Sequence, residues 1–481
     1  MKISMLIGGA EVAASDGGTF ERRNPITGEV ATVAPAATVV DVKKAVKTAA
    51  DAFPLWSKTS PVERRMLLLK AADALEASSE KIAKAMLAET GATAGWAGFN
   101  CMLAAQMLRE AASLTTQITG EIIPSNKPGT LSMAQRKPIG VCVAIAPWNA
   151  PIILGTRAVS TAIACGNTAI LKASELCPSV QLAIGEAFQD AGFPPGVMNV
   201  ITNAPEDAPV IVGALIDAPE VRHINFTGST EVGRIIAQRA AKNLKPVLLE
   251  LGGKAPMIIL DDADIEAAVN GAAFGSFMNQ GQICMSTERI IVQEKIADRF
   301  VDAFAAKAKT LPAGNPCDKI VLGSLVNIEA AEKMDALIAD AVKKGGVVVA
   351  GGKRTGTIVE ATLIDNVTSD MRIYSEESFG PVKPIIRVKD DEEAIRVAND
   401  TVYGLSASVY GSDITRTLAV ADRIESGICH INGPTLADEA QMPFGGVKDS
   451  GYGRFGGKAG IDSFTTVRWV TIEDPHQHFP F

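Results

Sequence analysis

Residues 141–172, VCVAIAPWNAPIILGTRAVSTAIACGNTAILK, contain a β-rich run, a helical stretch and a second β-rich run in that order. Three more β-rich runs, VMNVIT, VRHINFTG and VLLELGG, follow and are separated by helical stretches such as TEVGRIIAQRAAK. Strand, helix, strand in this order implies parallel pairing through right-handed crossovers. This region therefore predicts a doubly wound α/β sheet, which binds ligands at the carboxyl ends of its strands.

A second series of β-rich runs alternates with helices further along the chain and predicts another α/β domain. These runs are RIIVQ, GGVVVAGG, VKPIIRV and SASVYG. The first part of the chain is mostly helical, including a long run from Pro61 to Gly91. TLSMAQRKPIG and the tail SFTTVRWVTIE form strands outside both cores, either as edge strands or as an oligomerisation flap. The expected divisions are a first domain of residues 1–118 and 141–251, a second of 252–450, and bridging or oligomerisation segments at 119–140 and 460–481.

Composition excludes several classes of protein. The 481 residues are 47% apolar and 21% charged, which is typical of globular chains. A net charge of -8 gives no basic surface for nucleic acid. The N-terminus shows no convincing signal or transit peptide, and no apolar run approaches the ~20 residues that cross a bilayer. We expect a cytoplasmic protein without membrane partners. The seven cysteines lack CxxC spacing, which predicts reduced thiols and no metal site.

Cys284 stands in GQICMSTER, between a glycine-rich turn and the strand run RIIVQ. A structural cysteine usually packs inside an apolar run, whereas a nucleophilic one needs activation and a place for oxyanion charge. The usual partner of a thiolate is histidine, but none of the four histidines lies in a loop that resembles a site. The sequence therefore argues against a papain-like protease.

Two polar residues are better placed to assist Cys284. Glu250 ends the run VLLE, where a doubly wound sheet presents functional groups, and burial would raise its pKa toward that of a general base. It could instead cap an amide or pair with Lys254. Asn149, between two prolines in APWNAP, could donate to an oxyanion or form an Asx turn.

The cofactor site is predicted from two other turns. Gly451, Gly453 and Gly456 match GxGxxG but follow no strand, so they are a false match. In FTGSTEVGR, a strand leads through Gly228 and Ser229 into a helix containing Gly233, so helix N-terminal amides can hold phosphate. Lys172 and Glu175 follow another strand and suit ribose hydroxyls; the carboxylate would repel a 2'-phosphate, which favours NAD over NADP.

Seven motifs occur in the order and spacing of the aldehyde dehydrogenase superfamily: PWNAP, LKASE, FTGSTEVG, LELGGK, GQICMSTER, EESFGPV and PFGGVKDSGYGR. The chain resembles that superfamily over essentially its whole length. Within it, the bacterial salicylaldehyde and vanillin dehydrogenases look most similar, through stretches such as GWAGFN and REAASLTTQITGE. The resemblance implies a Rossmann-like NAD-binding domain, a catalytic domain and a small β oligomerisation flap, in a homodimer or homotetramer.

The resemblance also implies roles. Cys284 attacks the aldehyde to form a thiohemiacetal, and Asn149 with the backbone N–H of Cys284 holds the oxyanion. Hydride passes to NAD to leave a thioester, and Glu250 activates the water that releases the acid. Coenzyme A-acylating relatives typically lack this glutamate, so its presence implies a free acid product. The implied cofactor contacts are Trp148 in the channel, Lys172 and Glu175 at the adenosine ribose, Gly228 to Gly233 at the pyrophosphate, Glu377 at the nicotinamide ribose and Phe379 at the ring.

Substrate choice depends on residues that flank these motifs. An aromatic-rich pocket would suit a flat ring such as vanillin, salicylaldehyde or benzaldehyde. The candidates are Trp96, Phe99, Leu154, Arg157, Ile283, Met285 and Phe444. Trp96 and Phe99 could simply be helix packing, and Arg157 could meet substrate or pair internally. The alternatives are an aliphatic or semialdehyde dehydrogenase, a non-catalytic structural protein, or a thiol-dependent esterase.

Overall fold

The computed structural model describes residues 1–481 and confirms the α/β class predicted from the sequence. All of the β-rich runs quoted above form strands, and the structure adds short strands near the N-terminus and around the second sheet. In chain order the strands are β1 Met5–Ile7, β2 Ala10–Val12, β3 Thr19–Arg23, β4 Val30–Pro35, β5 Glu121–Ile122, β6 Leu131–Pro138, β7 Val141–Ile145, β8 Thr168–Lys172, β9 Met198–Ile201, β10 Val221–Thr227, β11 Val247–Glu250, β12 Pro256–Ile259, β13 Arg289–Gln293, β14 Val347–Ala350, β15 Arg354–Thr355, β16 Ile358–Val359, β17 Thr362–Asp365, β18 Val382–Val388, β19 Ser406–Tyr410, β20 Ile428–Ile431, β21 Gly451–Tyr452 and β22 Thr465–Ile472.

The helices differ from expectation at one point. In chain order they are α1 Val39–Trp56, α2 Pro61–Ala77, α3 Ser79–Thr90, α4 Ala94–Leu114, α5 Pro151–Ala164, α6 Pro178–Asp190, α7 Ala208–Asp217, α8 Thr230–Lys242, α9 Ile265–Phe277, α10 Glu294–Lys309, α11 Ile328–Lys343, α12 Arg372–Ser375, α13 Asp391–Asn399, α14 Ile414–Ala421 and α15 Gly457–Ser463. The run from Pro61 to Gly91 is therefore two helices that meet at Ser78. The hydroxyl of Ser79 donates to the carbonyl of Glu76 at 2.6 Å, a local bond that competes with continued helix.

The first sheet has eight strands in the order β2-β1-β9-β8-β7-β10-β11-β21. Strands β7 to β11 are mutually parallel, and β1 and β21 add antiparallel edges. The chain runs outward from β7 through β8 and β9, then returns to place β10 on the other side of β7. This reversal is a topological switch point, where such sheets form a crevice at the carboxyl ends of the strands. Asn149 follows β7 there, and Gly228 follows β10.

The second sheet has seven strands in the order β14-β17-β18-β13-β12-β19-β20, parallel except for β14. The short link of residues 251–255 joins β11 of the first sheet to β12 of the second. Cys284 precedes β13 and Phe379 precedes β18, so both belong to the amino edge of this sheet. The carboxyl edge of one sheet and the amino edge of the other thus border the same site.

A three-stranded antiparallel sheet, β22-β6-β5, lies apart from both large sheets. It is built from residues within 119–140 and 460–481, where the flap is expected. The division of the chain into domains at residues 118, 140 and 251 stays a prediction. None of the helices combines the length and the apolar character that crossing a membrane requires.

Candidate active site

The loop before Cys284 has an unusual backbone. Asn279, Gln280 and Gly281 all have positive φ, at 48°, 56° and 72°. This left-handed region is costly for a residue such as glutamine and is found mainly where surrounding contacts enforce it. Gly281 is required by space as well, since a Cβ there would lie 2.3 Å from the carbonyl oxygen of Gly380. The result is a tightly held turn that leaves Cys284 partly exposed.

Asn149 is held against this turn from several sides. Its side-chain amide donates to the carbonyl of Gln282 at 3.0 Å. Its own carbonyl accepts from the indole N–H of Trp96 at 2.9 Å and from the side chain of Asn279 at 3.0 Å. The backbone N–H of Cys284 donates to no acceptor in the protein. One amide hydrogen of Asn149 and this N–H are the donors that an oxyanion beside Cys284 needs.

Glu250 is buried at the end of β11, with 2% of its surface exposed. Neither carboxylate oxygen has a hydrogen-bond partner, so it does not pair with Lys254. Burial raises the pKa of Glu250 to about 8, although Arg157 and Arg454 oppose the shift. Burial and the Glu250 charge together raise the pKa of the Cys284 thiol to about 12. The resting pair is therefore a neutral thiol beside a carboxyl group that ionises near neutral pH.

The link between the two sheets brings these residues together. A Cβ on Gly253 would lie 2.5 Å from the carbonyl oxygen of Cys284, so this position tolerates only glycine. Gly253 also donates its N–H to Glu377 at 2.8 Å. The loops that carry Glu250, Cys284 and Glu377 are thus in direct contact.

Cys284 opens into a cavity of about 430 Å³, a volume suited to a small organic ligand. The cavity is lined by all seven residues predicted for the substrate pocket: Trp96, Phe99, Leu154, Arg157, Ile283, Met285 and Phe444. Trp96 and Phe99 stack with ring centroids 5.6 Å apart on α4. Sequence reasoning missed further lining residues: Phe274 and Met278 come from the segment just before the Cys284 turn, and Leu436 and Asp438 come from a segment distant in sequence.

Arg157, the cavity's one basic residue, pairs internally. Its guanidinium forms an ion pair with Asp438 and lies 4.2 Å from the centroid of the Phe444 ring. Both side chains of the pair are nearly buried, at 7% and 11% exposure. A guanidinium held by a carboxylate and a ring face is a poor receptor for a second anion.

The predicted cofactor residues lie at the carboxyl edge of the first sheet. Lys172 and Glu175 form an ion pair after β8, and Glu175 also accepts from the side chain of Asn203 at 2.8 Å. The side-chain oxygen of Asn203 is buried without a partner, as expected beside a polar ligand. Ser229 caps α8 by accepting from Val232, which leaves the first helix amides directed outward.

Gly233 on α8 and the EESFGP loop before β18 complete the predicted cofactor site. A Cβ on Gly233 would lie 2.5 Å from Leu251, so glycine lets α8 pack closely on the sheet. Phe379 has a positive φ of 51°, which is strained for an aromatic residue, and its ring meets that of Trp148 edge-on at 5.8 Å. Burial raises the pKa of Glu377 to about 7. These residues fit a dinucleotide: a helix N-terminus for phosphate, carboxylates for ribose and aromatic rings at the far end.

Comparisons with known proteins agree with this geometry. The model of the "Aldehyde dehydrogenase family" matches residues 12–470. The chain belongs to the aldehyde dehydrogenase family. Vanillin dehydrogenase from Pseudomonas fluorescens is 57% identical over 481 residues, 100% of each chain. A crystal structure of a salicylaldehyde dehydrogenase from Pseudomonas putida G7, complexed with salicylaldehyde, matches with a TM-score of 0.98 and 51% identity over 100% of each chain. Betaine aldehyde dehydrogenase from Staphylococcus aureus, in complex with NAD+, matches with a TM-score of 0.94 and 32% identity over 99% of this chain and 95% of that one.

This aldehyde dehydrogenase also contains a buried charge cluster that sequence reasoning missed. Glu288 accepts from Lys254 at 2.8 Å, from Lys383 at 2.7 Å, and from the backbone and hydroxyl of Ser378 at 2.7 and 2.6 Å. Burial alone would raise the pKa of Glu288, but the two lysines lower it below its usual value. The cluster ties together the Cys284 loop, the LELGGK loop and the loop of Glu377. No local pattern signalled it, because Lys254, Ser378 and Lys383 are all distant in sequence from Glu288.

Replacement of Glu288 by glutamine is expected to lower the free energy of unfolding by about 3–5 kcal/mol, because two buried lysines lose their counter-charge. Urea unfolding followed by tryptophan fluorescence measures the change. The matched control is Asp217→Asn, which removes an exposed pair with Arg239 and should cost no more than about 1 kcal/mol. Equal effects of the two substitutions would contradict a structural role for the cluster.

Proposed function

We propose that this enzyme oxidises aromatic aldehydes of the vanillin, salicylaldehyde or benzaldehyde type to the carboxylic acids, with NAD as cofactor. The observation that carries the proposal is the cavity joining Cys284 to apolar and aromatic side chains. A flat ring gains burial against Trp96, Phe99 and Phe444. The similarity to the vanillin and salicylaldehyde dehydrogenases named above supports the same substrate class.

In the proposed reaction, the sulfur of Cys284 attacks the aldehyde carbon and forms a thiohemiacetal. The partly exposed Cys284 thiol gives its proton to solvent water in this step, and the positive charge that bound NAD would bring to the site would favour the thiolate. Asn149 and the N–H of Cys284 donate to the oxygen as negative charge develops on it. The chemistry that bound NAD supplies is acceptance of the hydride, after which the carbon is held as a thioester on Cys284.

Glu250 then takes a proton from the water that attacks the thioester. Its carboxylate oxygens have no hydrogen-bond partner in the protein, so no existing hydrogen bond has to break for Glu250 to bind that water. The products are the free acid and the Cys284 thiol. With a pKa of about 8, the group exists in both forms near neutral pH, as a general base should.

We also propose NAD rather than NADP as the preferred cofactor, because the Glu175 carboxylate would repel a 2'-phosphate. Glu175→Gln is expected to raise the ratio of kcat/KM with NADP to that with NAD by at least about tenfold. The freed Lys172 would then attract the phosphate. The matched control is Glu186→Gln, which removes the same charge from an exposed ion pair with Lys81. This control should leave the ratio of the two kcat/KM values unchanged. An unchanged ratio in Glu175→Gln would remove the basis for the preference.

The test of the substrate class is a panel of vanillin, salicylaldehyde, benzaldehyde, succinate semialdehyde and acetaldehyde, followed through NADH formation. We expect far higher kcat/KM for the ring aldehydes. Faster oxidation of the aliphatic aldehydes would overturn the aromatic assignment and keep the family. Ester hydrolysis without NAD-dependent oxidation would favour the esterase, and NAD binding without any turnover would favour a structural protein.

A semialdehyde substrate is disfavoured by the charges of the cavity. Arg157 is already paired with Asp438, and Glu439 adds a second carboxylate to the lining. A substrate carboxylate would meet net negative charge in a mostly apolar space, which is unfavourable.

We infer that copies of the chain associate through the three-stranded sheet. Strand β22 exposes Val467, Trp469 and Ile472 by 63%, 76% and 59%, and Ile122 on β5 is 75% exposed. Val467 and Trp469 lie two residues apart on the same face of β22, and neighbouring exposed apolar side chains of this size typically mark a protein interface. Sedimentation equilibrium should therefore give a dimer or tetramer, and Val467→Asp with Trp469→Asp should shift it toward monomer.

A further inference from the structure

Asp438 lines the substrate cavity, and one of its carboxylate oxygens accepts no hydrogen bond. One carboxylate oxygen pairs with Arg157, while the other is buried and has no partner. The side chain lines the same cavity as Cys284 and lies close enough to raise the pKa of both Cys284 and Glu250. A buried carboxylate oxygen without a donor is costly, so its position in a binding cavity points to a ligand that supplies one.

Arg157 fixes this carboxylate and does not compete for the ligand. Its guanidinium is paired with Asp438 on one side and covered by the Phe444 ring at 4.2 Å on another. The Arg157 charge compensates that of Asp438, so an anionic acceptor can persist in an otherwise apolar lining. The ion pair therefore fixes the Asp438 carboxylate at the wall of the cavity.

We propose that the free oxygen of Asp438 accepts a hydrogen bond from a ring hydroxyl of the substrate, so that the enzyme selects hydroxylated aromatic aldehydes. This inference rests on the proposed oxidation of aromatic aldehydes. A phenolic O–H is a strong donor, and a bond to a charged acceptor is about twice as strong as one between neutral groups. A methoxy group of similar size has no hydrogen to donate. A site built around a hydrogen bond rejects such an analogue because its buried group is left unpaired.

The kinetic test compares 2-, 3- and 4-hydroxybenzaldehyde with the matching methoxybenzaldehydes and benzaldehyde. For at least one ring position, the wild-type ratio of kcat/KM for hydroxy over methoxy should be about 10 to 100. Asp438→Asn should reduce that ratio about tenfold, because the oxygen keeps its place but loses its charge. Asp335→Asn is the matched control, because it makes the same change in an ion pair with Arg354 outside the cavity lining, and its ratio should match the wild type.

Asp438→Asn leaves Arg157 buried without its counter-charge, so misfolding is a risk. The double variant Arg157→Leu, Asp438→Leu removes both charges and should abolish the hydroxyl preference. A wild-type ratio near one at every ring position, or an undiminished ratio in both variants, would overturn the inference while leaving aromatic oxidation standing. Loss of all ring-aldehyde oxidation in the wild type, with aliphatic aldehydes oxidised, would instead overturn the proposed function.

A binding measurement needs no turnover. The hydroxybenzaldehyde isomer with the largest hydroxy-over-methoxy ratio can be titrated through its phenolate absorption while it is bound to Cys284→Ala. The charged groups that line the cavity are Arg157, Asp438 and Glu439. Glu250 is close enough to respond to the charges of Arg157, Asp438 and Arg454. An Asp438 acceptor favours the neutral phenol, so binding should raise the phenol pKa, and adding Asp438→Asn should reverse the shift. A lowered phenol pKa would mean that Arg157 holds a phenolate, and would overturn the inference.

Discussion

Replacement of Cys284 by serine is expected to lower kcat/KM for aldehyde oxidation by at least about 10⁴-fold, with NAD binding intact. Removing the nucleophile of an assembled site typically costs this much or more, since the remaining groups cannot form the covalent intermediate. Serine keeps the shape of the turn held by Asn279 to Gly281, so the loss is chemical. NADH formation gives the rate, and quenching of tryptophan fluorescence gives the affinity for NAD.

The matched controls are Cys317→Ser and Cys429→Ser, which change the two exposed cysteines. Both should retain wild-type kinetics, because neither residue lines the cavity. Iodoacetamide should label Cys284 and inactivate the wild type. The two control variants keep Cys284, so iodoacetamide should inactivate them as well. Substantial oxidation by Cys284→Ser would remove Cys284 from the proposed mechanism.

Replacement of Glu250 by glutamine is expected to lower kcat about 10³-fold, within the range for loss of a general base. Thioester formation should survive, so the variant should release one NADH per site rapidly and then nearly stop. Mass spectrometry of the intact chain should detect the acyl group on Cys284. Glutamine is nearly isosteric, so the fold should be kept. A slow variant without an acyl adduct would mean that Glu250 acts in a step that leads to the thioester and not in its hydrolysis.

The pH dependence follows from the same carboxyl group. Because burial raises the pKa of Glu250 to about 8, the group is mostly protonated below that pH and cannot accept a proton from water. Hydrolysis of a preformed thioester should therefore accelerate as the pH rises through about 8 and level off above it. Single-turnover decay of the acyl-enzyme measures this, and Glu250→Gln should show no inflection there.

Local signals predicted much of the site. Asn149, Glu250 and Gly228 each follow a strand, so the order of strands and helices was enough to bring them to one edge. Cys284 was noticeable because its loop has neither apolar nor helical periodicity. The motifs then aligned with the aldehyde dehydrogenase superfamily, a match that the comparisons confirm.

Long-range pairs were not predictable in the same way. Asp438 is 281 residues from Arg157, and Ser378 and Lys383 are 90 and 95 residues from Glu288. Ion pairs of this kind depend on how loops from distant parts of the chain meet in the fold. Sequence periodicity predicts helices and strands but not these contacts. The carboxyl-end rule for doubly wound sheets also covers only half of the site, because Cys284 and Phe379 lie at the amino edge of the second sheet.

The meeting of the two sheet edges has a mechanical consequence. Glu250 is anchored to one sheet and Cys284 to the other, with residues 251–255 as the short tether between them. A small shift of one sheet relative to the other changes the separation of base and thioester without breaking any element of secondary structure. Gentle warming or pressure should therefore slow the release of acid while the protein is still folded. Loss of activity would then reflect misplacement of Glu250 relative to the thioester, and it should precede unfolding.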